Sequence, residues 1–598
     1  MKRSLRSTLS LMTLAAVLWM LAACQSGRQP AVPATPIPTL APMGDIQTIP
    51  QGLVYLGDPE TLALGFNMSA GGSIGSLLYR GRELVDRSDY GRYIQLSFYD
   101  GEDTYGMQGS DPYGNWGWNP IQAGSKGGSG AKVLEYRSGA GMVYIKALGK
   151  EWGLYDQDSD MIFETWAWQR DGYFEIHSRA THTGADAHGL ATQEFPATYF
   201  ATSLTHMYSY LGGAPFTGGA VSELKHVARP GEIAGQGRCP QVSATENWAA
   251  FGDADRNGLI LAAPPQPFLE PRWNICLLFA QPPVGYISPM ALFDVPPQAV
   301  YESTYYLIPG PIEMARSMVY DLIPHTTWTF DLNSFEGWQG ASTGAVVKNG
   351  ILSASLSPGQ FLQSTPGLRI PRAIASNVTL RARSSQANAR LCLSFITLDD
   401  PAWDKAKSLC QALPPGDFTA LTFDWQGNSS WSEGVVTQMR LSASARTPVE
   451  IDSIAVTLNG YAWEFASAGD AEGWAVWNHL APLQISQGFL NTRATDDDPY
   501  MASPALNLDA ETIPVVKIRM SVTAGHVVQV FFITALDAVY DEAKSLRAPL
   551  IADGQFHEYT LDMSKVAGWK GAISQIRLDP TESKAAIMVD YVRIVSQK

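Results

Sequence analysis

Two glutamates in the first half of the chain stand where carboxylate chemistry could operate: Glu194 in Gln193-Glu-Phe-Pro-Ala and Glu246 in Thr245-Glu-Asn-Trp-Ala-Ala. A carboxylate pair facing across a cleft can act on a glycosidic bond as acid and base, or as acid and nucleophile. Taken singly, each is equally a hydrogen-bonding residue at a strand end. Tyr113-Gly-Asn-Trp-Gly-Trp-Asn-Pro-Ile-Gln puts Trp116, Trp118, Asn119 and Gln122 in one Gly/Pro-rich loop. Flat indoles stack on the apolar faces of sugars and amides pair with hydroxyls, so this composition suits a saccharide cleft, with Trp248 beside Glu246 as a second wall. The same indoles could instead close a core. His177, His182, His188 and His206 cluster in sequence, but their spacings match no zinc motif and no cysteine lies near, so no metal is expected from them. The chain has no phosphate loop or dinucleotide fingerprint.

These residues belong to an exported chain. Lys2, Arg3 and Arg6 precede an apolar run from Leu9 to Met20, too short to span a bilayer, and Leu21-Ala-Ala-Cys24 follows. The pattern resembles a bacterial lipoprotein signal, residues 1–23, whose cleavage leaves Cys24 as the lipidated first residue. Residues 24–50 carry Pro30, Pro33, Pro36, Pro38, Pro42 and Pro50 and read as an extended tether. The expected location is the bacterial cell envelope, outside the cytoplasm, with the membrane reached only through the lipid. With 42 Lys+Arg against 57 Asp+Glu the net charge is −15, and loss of the three basic residues of the signal takes it to −18. That balance argues against a nucleic-acid partner.

The second half is one domain used twice. Trp328-Thr-Phe…Phe335-Glu-Gly-Trp returns as Trp463-Glu-Phe…Ala471-Glu-Gly-Trp, and Trp403-Asp-Lys-Ala-Lys-Ser as Tyr540-Asp-Glu-Ala-Lys-Ser. Thr437-Gln-Met-Arg-Leu returns as Ser574-Gln-Ile-Arg-Leu, with the offset held between 135 and 138 throughout. Beyond Cys24 there are Cys239, Cys276, Cys392 and Cys410, an even set that in an exported protein favours disulfides. Cys392 and Cys410 fall opposite Gln529 and Arg547, so both are missing together from the second copy. That joint absence favours a Cys392–Cys410 pair and leaves Cys239 with Cys276.

Short runs alternate apolar and polar in both halves, as in Tyr173-Phe-Glu-Ile-His, Val378-Thr-Leu-Arg-Ala-Arg and Val516-Lys-Ile-Arg-Met-Ser, with turn residues between them. The chain is expected to be all-β: a large domain over 51–325 and two sandwiches over 326–460 and 461–598. Gly71-Gly-Ser-Ile-Gly…Arg82-Glu-Leu-Val and the closing Tyr305-Tyr-Leu-Ile-Pro-Gly resemble the galactose-mutarotase-like supersandwich. The Trp-x-Phe…Glu-Gly-Trp opening, Ala552-Asp-Gly-Gln-Phe-His-Glu-Tyr and the final Val589-Asp-Tyr-Val-Arg-Ile resemble galactose-binding-like jelly rolls that serve as carbohydrate-binding modules. The second resemblance implies a structural Ca²⁺ using a last-strand aspartate, which Asp452 and Asp590 match; no cofactor is required.

The expectation is therefore a surface lipoprotein that recognises a polysaccharide or oligosaccharide. The mutarotase-like fold also serves glycoside hydrolases and polysaccharide lyases, so an enzyme using Glu194 and Glu246 is the first alternative. An adhesive or structural envelope protein without sugar affinity is the second. No His-x-Tyr-Phe-Asn-Leu motif occurs, which argues against sugar epimerisation.

Overall fold

The computed structural model describes residues 44–597 apart from 101–117, 155, 226–240, 266–268, 279–283, 341–342, 426–427, 429–433, 505 and 535. Cys24, Trp116 and Cys239 lie outside the described residues. The chain is all-β: sheets carry each region, and the helix Ile312–Leu322 follows the last strand of the first. Period-two patterning explains why. Phe174–His182 alternates buried and half-buried residues along its whole length, and Ala389–Thr397 does nearly the same. Each strand thus offers one apolar face, and two such faces must meet to form a core.

In the first region a four-stranded sheet from Leu53–Asp58 to Arg82–Glu83 packs on a 15-stranded sheet, counted among the described residues. Their shared core includes Phe66, Ile145, Ile176, Phe251 and Leu307. Phe174–His182 lies antiparallel between Asp158–Gln169 and Val300–Pro311. His188–Phe200 lies between Gln95–Ser97 and Val284–Val295. A second, smaller apolar cluster of Phe98, Phe163, Phe195 and Phe293 supports the ends of these strands.

Each repeat is a sandwich of two antiparallel sheets with its own core. Trp328 and Trp338 meet edge to face at 5.5 Å in the first, and Trp463 and Trp474 at 5.3 Å in the second. In one sheet of the first repeat the strand order is Phe361–Gln363, Val435–Ala443, Ala389–Thr397, Ser408–Leu413. The second repeats it as Tyr500–Ala502, Ala572–Asp579, Val527–Thr534, Ser545–Pro549. Cys392 and Cys410 are direct cross-strand neighbours and are joined by a disulfide, as their joint absence from the second copy had indicated. Gln529 and Arg547 are the equivalent neighbours. Cys276 is also disulfide-bonded.

Candidate functional site

Glu194 lies within a bulge: the ladder between His188–Phe200 and Val284–Val295 shifts register between Gln193 and Thr198. Bulges re-aim side chains, and here the carboxylate meets a set of phenols. Tyr99 donates to its Oε2 at 3.0 Å, and the Tyr286 hydroxyl donates to Oε1. Tyr199 packs against Tyr286 at 5.1 Å between ring centres. Desolvation raises the Glu194 carboxyl above the ordinary range, although the two tyrosines and Ser97 oppose the shift by hydrogen bonding. Burial and the negative field of Glu194 push Tyr286 well up in turn. Glu194 is thus a carboxyl held toward its neutral form in a tyrosine-lined recess.

Glu246 has the opposite environment. It is fully buried and accepts a two-pronged contact from Arg316, at 2.9 Å from Nε and 2.7 Å from Nη2. It also accepts from Tyr320 at 2.7 Å, the Phe216 amide at 2.9 Å and Trp248 Nε1 at 2.9 Å. Every lone-pair direction is used, and the partners come from the helix and the loops around it. Among the described residues Glu194 and Glu246 share no hydrogen-bond partner, and Glu246, sealed against Arg316, does not face a cleft as the sequence-based pairing expected. Trp248 is likewise core: it is completely buried and serves to hold Glu246.

The aromatic loop divides. Asn119 is buried, its amide donating to the Phe98 carbonyl at 2.6 Å and to Ser97 Oγ at 3.3 Å. Gln122 is buried and reaches Thr165 at 3.3 Å. Both amides brace strands rather than face a ligand. Trp118 is half-buried; its ring stacks on His188 at 3.6 Å and its Nε1 donates to Asp160 at 2.8 Å. Nearby, Glu151 accepts from the Asn119 backbone N–H at 2.7 Å, and burial pushes its carboxyl up to about 7. Sequence reading missed Tyr99, Glu151, Asp160 and Tyr286, because their significance comes from neighbours far along the chain.

On the sandwiches, the aspartates matched to a calcium site do not fit one. Asp452 pairs with Arg381 at 2.6 Å and Asp590 pairs with Arg519, so a guanidinium stands where a hard cation would need further oxygens. A different feature recurs instead. Arg440 lies 3.9 Å from the ring centres of both Phe361 and Trp403. Its equivalent, Arg577, lies 3.4 Å from Tyr500 and 4.6 Å from Phe531. Tyr540, the counterpart of Trp403, donates to Gln575 at 2.9 Å. In register, Arg440 stands between Gln363 and Ser394, and Arg577 between Ala502 and Phe531. Phe361, Trp403, Tyr500 and Tyr540 are all half-exposed, so both copies present rings beside a guanidinium on the same sheet.

No protein-family model matches this sequence, and no curated protein matches it. Among solved structures, a galactose mutarotase-like protein from Lactobacillus casei is similar over 43% of this chain and 99% of its own, at 12% identity and a TM-score of 0.26. The tandem CBM22-1–CBM22-2 domain of Paenibacillus barcinonensis Xyn10C is similar over 45% of this chain and 97% of its own, at 9% identity and a TM-score of 0.17. The xylan-binding module CBM86 from Roseburia intestinalis is similar over 22% of this chain and 93% of its own, at 16% identity and a TM-score of 0.16. Likenesses this distant say nothing about a ligand or an activity of this chain.

Proposed function

We propose that this chain is a carbohydrate-recognising protein of the bacterial envelope, held to the membrane through Cys24. The observation that carries the reading is the aromatic-flanked arginine repeated at the same register in both sandwiches. A half-exposed ring offers a stacking face to sugar C–H groups, and the guanidinium beside it, itself held by Gln363 in the first copy and by Asp498 and Asp579 in the second, keeps that face in place. Two such platforms in tandem would bind a polymer by avidity rather than by one tight contact. The test is calorimetry and affinity electrophoresis against a panel of neutral polysaccharides, comparing wild type with Trp403→Ala, Tyr540→Ala and the double variant. Each single variant should weaken binding and the double variant should abolish it; equal binding by all four proteins would sink the reading.

A catalytic reading rests on Glu194 alone. A buried carboxyl held toward its protonated form suits a general acid, and Tyr286 is the adjacent proton-bearing group. Glu246 does not supply the second carboxylate, so a two-carboxylate mechanism would need a partner other than the one named from sequence. Release of reducing ends or unsaturated products from the same panel, absent in Glu194→Gln, would support this reading.

A further inference from the structure

Three side chains converge at one end of the large sheet: Asp160 near the start of Asp158–Gln169, His182 at the end of Phe174–His182, and His188 at the start of His188–Phe200. One ligand-capable atom from each lies within 4.8 Å of the other two. His182 is fully buried and His188 nearly so, while Asp160 is the more exposed member.

Hydrogen bonding settles which ring nitrogens carry protons. His182 Nδ1 lies 2.9 Å from the Pro296 carbonyl oxygen, which can only accept, so the proton is on Nδ1. His188 Nδ1 lies 2.9 Å from Asp100 Oδ2, a carboxylate oxygen that likewise accepts. In the neutral rings, both Nε2 atoms are therefore bare lone pairs. His182 Nε2 lies 3.1 Å from Asp160 Oδ2, a contact that needs a proton or a cation between the two atoms. His188 Nε2 is buried with no hydrogen-bond partner. Buried acceptors without a donor are costly and rare, and a cation would satisfy all three at once.

The surroundings fit that solution. Asp160 Oδ1 is oriented by Trp118 Nε1 at 2.8 Å, and the Trp118 ring lies flat on His188, 12° from parallel. Each imidazole is oriented through its other nitrogen by a carboxylate or a carbonyl, the arrangement that supports metal-binding histidines. Space is kept as well: a Cβ at Gly184 would come within 2.1 Å of Asp160 Oδ2 and 2.6 Å of His182 Nε2.

We propose that Asp160, His182 and His188 form a binding site for a divalent transition metal of the zinc class. Two imidazole nitrogens with one carboxylate select a borderline-soft ion over Ca²⁺ or Mg²⁺, which take oxygen ligands. Three protein ligands leave coordination positions free for water or a sugar hydroxyl, and the exposed edge of Asp160 provides the way in. Sequence spacing argued against zinc because it weighed the histidines only against each other; the third ligand comes from a neighbouring strand 22 residues earlier.

The experiment uses the untagged chain, stripped with chelator and titrated separately with Zn²⁺ and Co²⁺. Wild type should take up one equivalent of either ion, the Co²⁺ form showing the visible absorption of a low-coordinate site. His188→Gln and Asp160→Asn should each lose at least tenfold in affinity, and Asp100→Asn roughly 10–100-fold through loss of ring orientation. Gly184→Ala retains every ligand and should still block uptake. Folded wild type that binds neither ion overturns the proposal. So does binding left unchanged in both His188→Gln and Gly184→Ala. An ion pair of protonated His182 with Asp160 alone would give the first of these results.

Discussion

The two sandwiches share strand order, register and opening tryptophans, yet they secure the same edge strand differently. The first joins Cys392 to Cys410. At the same register the second places Gln529 beside Arg547; Gln529 donates to Glu542 at 3.0 Å and Arg547 pairs with Glu542 at 3.0 Å. One copy thus restrains the chain covalently and the other uses an exposed Arg547–Glu542 pair braced by the buried Gln529. What they keep in common is the loop carrying Trp403 or Tyr540. In each, a buried lysine anchors it: Lys407 reaches Asp400 at 2.8 Å, and Lys544 reaches Asp537 at 2.9 Å. The edge is free to vary because any cross-link serves it, whereas the aromatic platform needs its loop in one place.

Four measurements would break or sharpen this comparison. The largest effect concerns Glu336 and Glu472, equivalent carboxyls that burial pushes up to about 8 in both copies. A folded value above the unfolded one means that the stabilising contribution is complete below about pH 4.5 and disappears as pH rises toward about 8. For each carboxyl the shift from 4.5 to about 8 amounts to on the order of 5 kcal/mol. Hydrogen exchange followed across that pH range should show both sandwiches loosening as pH rises. Glu336→Gln should flatten the profile of the first; an unchanged profile would refute the assignment.

Next comes the disulfide. Replacing Cys392 and Cys410 by Ser should cost the first sandwich about 3 kcal/mol, from the chain entropy of the loop it closes, and leave the second unchanged. Introducing Gln529→Cys with Arg547→Cys should stabilise the second copy in denaturant only when oxidised. Third, Lys407→Ala should cost about 2 kcal/mol, since its buried ammonium leaves the Asp400 and Ala402 carbonyls behind, and Lys544→Ala, whose ammonium meets the exposed carboxylates of Asp537 and Asp541, should cost less. Both should also weaken glycan binding, which a purely structural lysine would not. The smallest effect is Arg547→Ala: an exposed pair of this kind should change stability by less than about 0.5 kcal/mol. A loss as large as that of the disulfide would remove the contrast between the copies.

The front region shows where sequence reading succeeds and fails. Glu194 and Glu246 look alike in sequence, each beside an aromatic residue and an apolar run. The fold gives one a pair of tyrosine hydroxyls in a recess and the other a buried arginine from a helix 70 residues away. Asn119 and Gln122 resemble ligand-facing amides until the sheet closes over them.

Sequence alone determined the all-β class, the twofold repeat and the Cys392–Cys410 pairing. Those follow from local alternation of apolar residues and from comparing one stretch of chain with another at a constant offset. Tertiary structure decided which polar groups meet. Asp160, His182 and His188 converge only because antiparallel strands return to the same sheet end, and Glu246 meets Arg316 only because the helix packs over it. Side-chain chemistry depends on distances of a few ångströms and on desolvation, and both are set by strand register and packing between elements far apart along the chain.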